Sequence, residues 1–198
     1  MNVILASTSP RRHELLSRTG IDFIVAPSSV VERRPVMGEA PGNYALDLAR
    51  VKARSVAADH PGAITLAADT IVTVDAMILG KPENGYDAVR MLRLLRGREH
   101  KVYTGVVVLG RGMHQGLVAS SVRMKAFSDA ELLEYVGSGE PADKAGAYAV
   151  QGLGRDLVTA VAGCFENVMG LPVCMSQALL RTEGMLLPVA THCSHDIF

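Results

Sequence analysis

Hydrophobic positions change their period along the chain, and each change marks a new element. Val3 to Ala6 is a short apolar run that reads as a buried strand. It meets Ser9-Pro10, a capping serine followed by the residue favoured at a first helical position. That helix carries Leu15 and Leu16 inward and ends at Gly20, and Ile21 to Ala26 predicts a second strand. Residues 28–40 are polar, contain Pro35 and Gly38, and predict a loop. Tyr44, Leu48, Val51 and Ser55/Val56 share one face of a helix. Ile64 to Val74 is apolar apart from Asp69 and threonines, and Asp75-Ala76 predicts a turn into a return strand at Met77 to Leu79.

The second half repeats the alternation with longer strands. Ala88, Met91, Leu92 and Leu95 fall at i, i+3, i+4 and i+7, with Gly97 as the stop. Val102 to Leu109 and Gln115 to Lys125 predict two strands joined through Gly110-Arg111-Gly112. Ser128-Asp-Ala-Glu131 is a capping box opening a helix to Val136. A strand at Leu157 to Val161 and a helix from about Pro172 to Thr182 follow, and the tail from Pro188 is expected to be loosely held. The expected fold class is α/β, a mixed central sheet flanked by helices. No repeat or long linker divides the chain, so one domain is expected over residues 1–183, with a C-terminal tail at 184–198.

Composition narrows the classes. The chain has 198 residues, 48% hydrophobic and 20% charged, which excludes wholesale disorder and permits a core without structural metal or disulfides. Its 20 Lys+Arg balance 20 Asp+Glu, against the positive excess that a nucleic-acid polymer or an acidic membrane demands. A local basic pocket remains compatible with that balance. Three cysteines without CxxC spacing argue against a disulfide framework. Near the N-terminus charge follows the apolar run, the wrong order for a secretory signal, and no stretch approaches the roughly 20 apolar residues of a bilayer span. The expectation is a soluble, cytoplasmic protein.

Candidate chemistry lies at the element ends. Ser7-Thr8-Ser9-Pro10-Arg11-Arg12 places hydroxyls, guanidiniums and a helix start together, a phosphate cradle or a plain cap with two solvated arginines. Asp69 in an apolar strand must be paired, metal-bound or catalytic, unless it caps a strand end. Lys81, between Gly80 and Pro82, is not part of a Walker A loop, since residue 75 is Asp, and a solvated turn lysine is its default. Lys52 beside Leu48 and Val51 by default snorkels to solvent, and Glu32 by default is an exposed loop carboxylate. Gln151 can read a base edge or bond its own turn. The GxG at 152–154 lacks the third glycine of a dinucleotide fingerprint. His192-Cys193-Ser194-His195 could hold a metal, but no further ligands lie near it in sequence.

Five blocks in order resemble the Maf family of nucleoside triphosphate pyrophosphatases. They are Ile4-Leu-Ala-Ser-Thr-Ser-Pro-Arg-Arg-His-Glu-Leu-Leu16, Ala67-Ala-Asp-Thr-Ile-Val72, Gly80-Lys-Pro82, Asp143-Lys-Ala-Gly-Ala-Tyr148 with Gln151-Gly152, and Asn167-Val-Met-Gly-Leu-Pro172. The resemblance implies an inosine-triphosphatase-like fold with a cleft between two lobes, and metal-assisted hydrolysis to monophosphate and pyrophosphate. By motif position Asp69 matches the proton acceptor, Arg11, Arg12, Lys52 and Lys81 the cations, Ser7 and Ser9 the first-loop hydroxyls, and Glu32 the loop carboxylate. Asp69 and Glu32 are the expected ligands of a Mg or Mn ion. Arg11, Thr70 and Gln151 look like the branch acting on dTTP and UTP, including modified pyrimidine triphosphates. A homodimer is the family tendency.

Three places depart from the pattern: Val31 where an acidic residue usually precedes the glutamate, Ala149 where glycine is common, and the three-residue run Cys164-Phe165-Glu166. The competing readings are a nucleotide-binding regulator of septum formation that signals without turnover, and a purine-preferring inosine-triphosphatase-like enzyme.

Overall fold

The computed structural model describes residues 2–75, 77–187 and 195–197. Eight strands form one open mixed sheet: β1 (Val3–Leu5), β2 (Phe23–Val25), β3 (Ile64–Val74), β4 (Met77–Leu79), β5 (Glu99–Leu109), β6 (Met113–Met124), β7 (Val158–Cys164) and β8 (His195–Ile197). Their order is β2-β1-β3-β5-β6-β7-β8, with β4 on β3 outside that path. β1 runs parallel to β2 and β3, and the remaining pairings are antiparallel. Among the described residues six α-helices accompany the sheet: α1 (Pro10–Ser17), α2 (Pro41–Asp59), α3 (Gly85–Leu95), α4 (Asp129–Gly137), α5 (Phe165–Met169) and α6 (Val173–Thr182).

Alternation along β3 and β5 sends successive side chains to opposite faces. Leu66, Ala68, Val72, Val102, Val106 and Val108 enter the large core with Leu15, Leu16, Leu92, Leu95 and Leu180. Ala67 and Val107 pack on the other face with Ala49, Ala53 and Val56 of α2. Burying a Leu or Val side chain contributes about 1.5–3 kcal/mol, so these two layers fix the helices and the strand register. Helix α2 lies unusually close to the sheet at Gly105, where a Cβ would sit 2.7 Å from the Leu46 nitrogen. Gly105 is the cross-strand partner of Asp69, so the missing side chain lets α2 descend directly onto the aspartate.

Local signals set the helix starts. Ser9 accepts from the Arg12 N–H, Asn84 from the Asp87 N–H, and Ser128 with Glu131 forms the complete capping box. The sulfur of Cys164 caps α5 by accepting from the Asn167 N–H at 3.3 Å, which gives the cysteine of the Cys164-Phe165-Glu166 run a structural role. Ala149 takes no positive φ, so the glycine common there is dispensable.

Several expectations need correction. Val51 is exposed, and the buried stripe of α2 runs through Tyr44, Leu48, Ala49, Ala53 and Val56. The strand placed at Leu157 to Val161 extends to Cys164, and α5 had no sequence signal. Cys174 is disulfide-bonded, against the reading of the odd cysteine count, while Cys164 is free and buried. The tail returns to the sheet, where His195–Ile197 pairs with β7. Residues 192–194 and the side chain of His195 lie outside the described residues, as does Ala76 of the expected turn. Among the described residues no helix is long and apolar enough to cross a membrane.

Candidate active site

A gap in the sheet makes the site. β1 pairs with β3 at Ile64, Thr65 and Leu66, and β4 pairs with it at Val72, Thr73 and Val74. Between them Ala67 to Ile71 has β5 on one edge and, among the described residues, no strand on the other. Side chains from both faces of β3 can therefore reach one opening. A cavity of about 390 Å³ lies there, within the range of small-ligand sites.

All ten residues singled out from the sequence line this cleft: Ser7, Ser9, Arg11, Arg12, Glu32, Lys52, Asp69, Thr70, Lys81 and Gln151. Five cations, Arg11, Arg12, Lys52, Lys81 and Lys144, face three carboxylates, Glu32, Asp69 and Asp143. The neutral total thus conceals a local positive excess.

On the α2 face the site is ionic. Lys52 pairs with Asp69 and, at 2.6 Å, with Glu32, and its side chain is only 14% exposed. The solvated default for Lys52 is therefore wrong: α2 aims it inward at Asp69. Burial pushes the Asp69 carboxyl above the usual range, against the pull of Lys52 and Arg12. Burial also acts upward on Glu32, but its hydrogen bond and charge contact with Lys52, with Lys81 and Arg12 beyond, leave it below the usual range. Two hard oxygen donors converging on a single cationic point suit a Mg- or Mn-type ion. Among the described residues no group of three or more His, Cys, Asp or Glu could hold a metal, so phosphate and water oxygens would have to complete its shell.

On the opposite face the site is neutral apart from one arginine. Arg12 donates from Nε to the Gly170 carbonyl at 2.8 Å and from Nη2 to the Thr70 hydroxyl at 3.2 Å. Burial lowers its pKa, with the nearby charge of Asp69 opposing. The expected cap at Ser9 exists, but Arg12 is not the solvated arginine of that plain reading. Gly170 has φ +109°, and a Cβ there would meet Thr70 Oγ1 at 3.3 Å and Arg12 Nε at 3.4 Å. Only glycine brings this carbonyl to the guanidinium without crowding.

The rim is built from turns. Ser7 Oγ accepts from the Ser9 N–H at 3.1 Å, closing the β1–α1 loop. Arg11 and Lys81 enter no ion pair among the described residues. Lys144 donates to the Glu140 carbonyl at 2.7 Å and to Asp143 at 2.6 Å. The Glu140 carboxylate accepts from the Gly154 N–H at 2.8 Å and the Leu153 N–H at 3.3 Å, pinning the turn after Gln151. Gln151 Nε2 is buried without a partner, a donor held open at the cleft. Ala147 sits at φ +59° in the same loop, a strained position for a residue with a Cβ.

Sequence reasoning missed the layer behind these residues. Thr104, Asn167 and Ser120 are buried polar groups that support Thr70 from β5, α5 and β6. A threonine inside the apolar run from Val102 was a visible signal. Its pairing with Thr70, 34 residues away, was not.

An open α/β sheet whose gap gathers cations around a buried carboxylate defines a protein for a small polyanion. The chain belongs to the Maf family, since residues 2–183 match the description Maf-like protein. It is 48% identical over 186 residues to a protein of Myxococcus xanthus named dTTP/UTP pyrophosphatase, covering 94% of each chain. A Nitratidesulfovibrio vulgaris protein of the same name is 46% identical over 193 residues, covering 96% of this chain and 90% of that one. Among solved structures, the Staphylococcus aureus Ham1 protein aligns at TM-score 0.48 and 13% identity over 80% of each chain, a likeness too loose to carry an argument.

Proposed function

We propose that the protein hydrolyses a nucleoside triphosphate to the monophosphate and pyrophosphate, with dTTP and UTP as preferred substrates. The observation that carries this reading is the set of cations, two of them without an ion pair, gathered around a carboxylate whose basicity burial raises. The names of the Maf relatives support the substrate class.

A triphosphate needs positioning and charge neutralisation more than covalent help. Arg11 and Lys81 meet its phosphates at the rim, and Arg12 acts from a fixed position beside Thr70. Asp69 accepts the proton of the water that attacks the α-phosphorus, and pyrophosphate leaves toward the cations. Asp69 and Glu32 would hold a Mg or Mn ion together with substrate oxygens. When bound, that ion supplies neutralisation of the triphosphate charge. The open amide of Gln151 hydrogen-bonds the pyrimidine edge.

A panel of the common and modified nucleoside triphosphates with Mg²⁺ or Mn²⁺, read as pyrophosphate release, tests the reading. Release from dTTP and UTP well above the purine nucleotides is expected. Folded protein with no turnover on any triphosphate overturns it, and a preference for inosine or xanthosine triphosphate replaces the substrate.

A further inference from the structure

Behind Thr70 the hydrogen bonds run in a single direction, and the direction can be counted. The Asn167 carbonyl can only accept, so the single hydroxyl proton of Thr104 is committed to it at 2.9 Å. The 3.0 Å contact between Thr70 Oγ1 and Thr104 Oγ1 must then be donated by Thr70. On its other side Thr70 accepts from Arg12 Nη2, which can only donate. The protons therefore point inward, from Arg12 to Thr70 to Thr104 to the carbonyl of Asn167. Asn167 is itself held, donating from Nδ2 to the Val102 carbonyl at 3.0 Å and to Ser120 Oγ at 2.9 Å. Thr104 and Asn167 are fully buried, so water does not substitute for either bond.

We propose that Thr104 is a positioning residue for specificity: it holds the Thr70 hydroxyl as a pure acceptor toward the cleft. This rests on the nucleotide reading above and deepens it. A hydroxyl with its proton spent inward has one lone pair left for a ligand. It cannot donate to phosphate oxygens, which themselves only accept. Its partner on a nucleotide is an N–H of the base or a sugar hydroxyl. Thymine and uracil offer a donor at N3, whereas cytosine presents a lone pair at the same atom. An acceptor-only threonine favours the first two and repels the third.

The test compares kcat/KM for dTTP, dCTP and 2′,3′-dideoxy-TTP in the wild type, Thr104→Val, Thr104→Ser and Thr70→Val, with melting to verify folding. Valine keeps the shape of Thr104 but removes the acceptor, which frees the Thr70 proton to turn toward the cleft. The dTTP-over-dCTP ratio should fall about tenfold in Thr104→Val, the scale of one hydrogen bond, and stay near wild type in Thr104→Ser. A fall in dTTP over dideoxy-TTP instead supports the same acceptor with the sugar hydroxyl as its donor. Equal losses on all substrates in Thr104→Val, with both ratios within twofold of wild type, overturn the proposal and leave Thr104 a packing residue. If Thr104→Val does not fold, unchanged ratios in Thr70→Val overturn it as well. A wild type with no preference for dTTP over dCTP defeats the substrate reading itself, a result separate from any variant.

Discussion

Adjacent residues on β3 face opposite sides of the sheet, and the two halves of the cleft are built from different physics. Asp69 meets α2, where it forms a buried ion pair with Lys52 that the half-exposed Glu32 joins from the loop. Thr70 meets β5 and α5, where hydroxyls and carbonyls hold a single arginine. Buried charges are costly and are held by their partners, so a ligand that brings new charge can rearrange them. Directional neutral bonds are cheaper to bury, and they fix geometry rather than potential. The ionic half is thus suited to chemistry on the phosphates, and the neutral half to holding and reading the nucleoside end.

The largest effect should come from the ionic half. Asp69→Asn keeps the shape but cannot take a proton, and kcat should fall about a thousandfold while nucleotide affinity stays within a few-fold. An unchanged kcat in steady-state pyrophosphate release would remove Asp69 from the chemical step. Binding and signalling with full cellular effect in that variant would favour the regulator reading.

Lys52→Met tests whether the ionic half is held by its charges. With the lysine gone, Asp69 and Glu32 face each other without the partner that sits between them. Chemical unfolding should show a loss of about 3 kcal/mol, largely recovered in Lys52→Met/Asp69→Asn. A loss below about 1 kcal/mol would place the cluster with exposed ion pairs and erase the contrast.

The two halves were not equally legible in the sequence. Asp69 in an apolar strand announced itself because an uncompensated buried carboxylate is expensive, and the first loop showed its cap at Ser9. The face of α3 was fully legible, with Ala88, Met91, Leu92 and Leu95 all buried as their spacing required. The gap between β1 and β4 was not, because it depends on which strands pair and where, information no local period carries. For the same reason Thr104 read as an ordinary strand residue until the register placed it against Thr70. Helix α5, five residues long, was too short for a period to show. Glu183 likewise gave no signal. Its carboxylate accepts from the Arg111 and Gly112 N–H groups and so caps the tip of the β5–β6 hairpin from 72 residues away.

Acid should expose a titrating group on the neutral side. His100 shares the Thr104 face of β5, and its Nε2 lies 2.6 Å from the Tyr148 hydroxyl, whose residue lines the cleft. Burial lowers its pKa to about 4. Between the ordinary value of about 6.5 and that figure, the unfolded chain binds a proton that the folded chain refuses. This contribution is fully present above pH about 6.5 and declines as pH falls toward about 4, by at most about 3.4 kcal/mol. Melting of wild type and His100→Gln across that range should show a flatter profile for the variant, and parallel profiles would dismiss His100 as the source.

The smallest effect tests whether geometry or charge holds Arg12. Gly170→Ala leaves every charge in place. It adds a Cβ at φ +109°, 3.3 Å from Thr70 Oγ1 and 3.4 Å from Arg12 Nε. The backbone strain should cost about 1–2 kcal/mol of stability, read by chemical unfolding. If the neutral half positions Arg12 by direction, the guanidinium must also tilt away from Thr70. KM for dTTP should then rise several-fold, with kcat changed less because Asp69 and Lys52 lie across the strand. An equal fall in kcat at constant KM would mean that Arg12 acts in the chemical step through its charge, and the division of labour between the two faces of β3 would have to be redrawn.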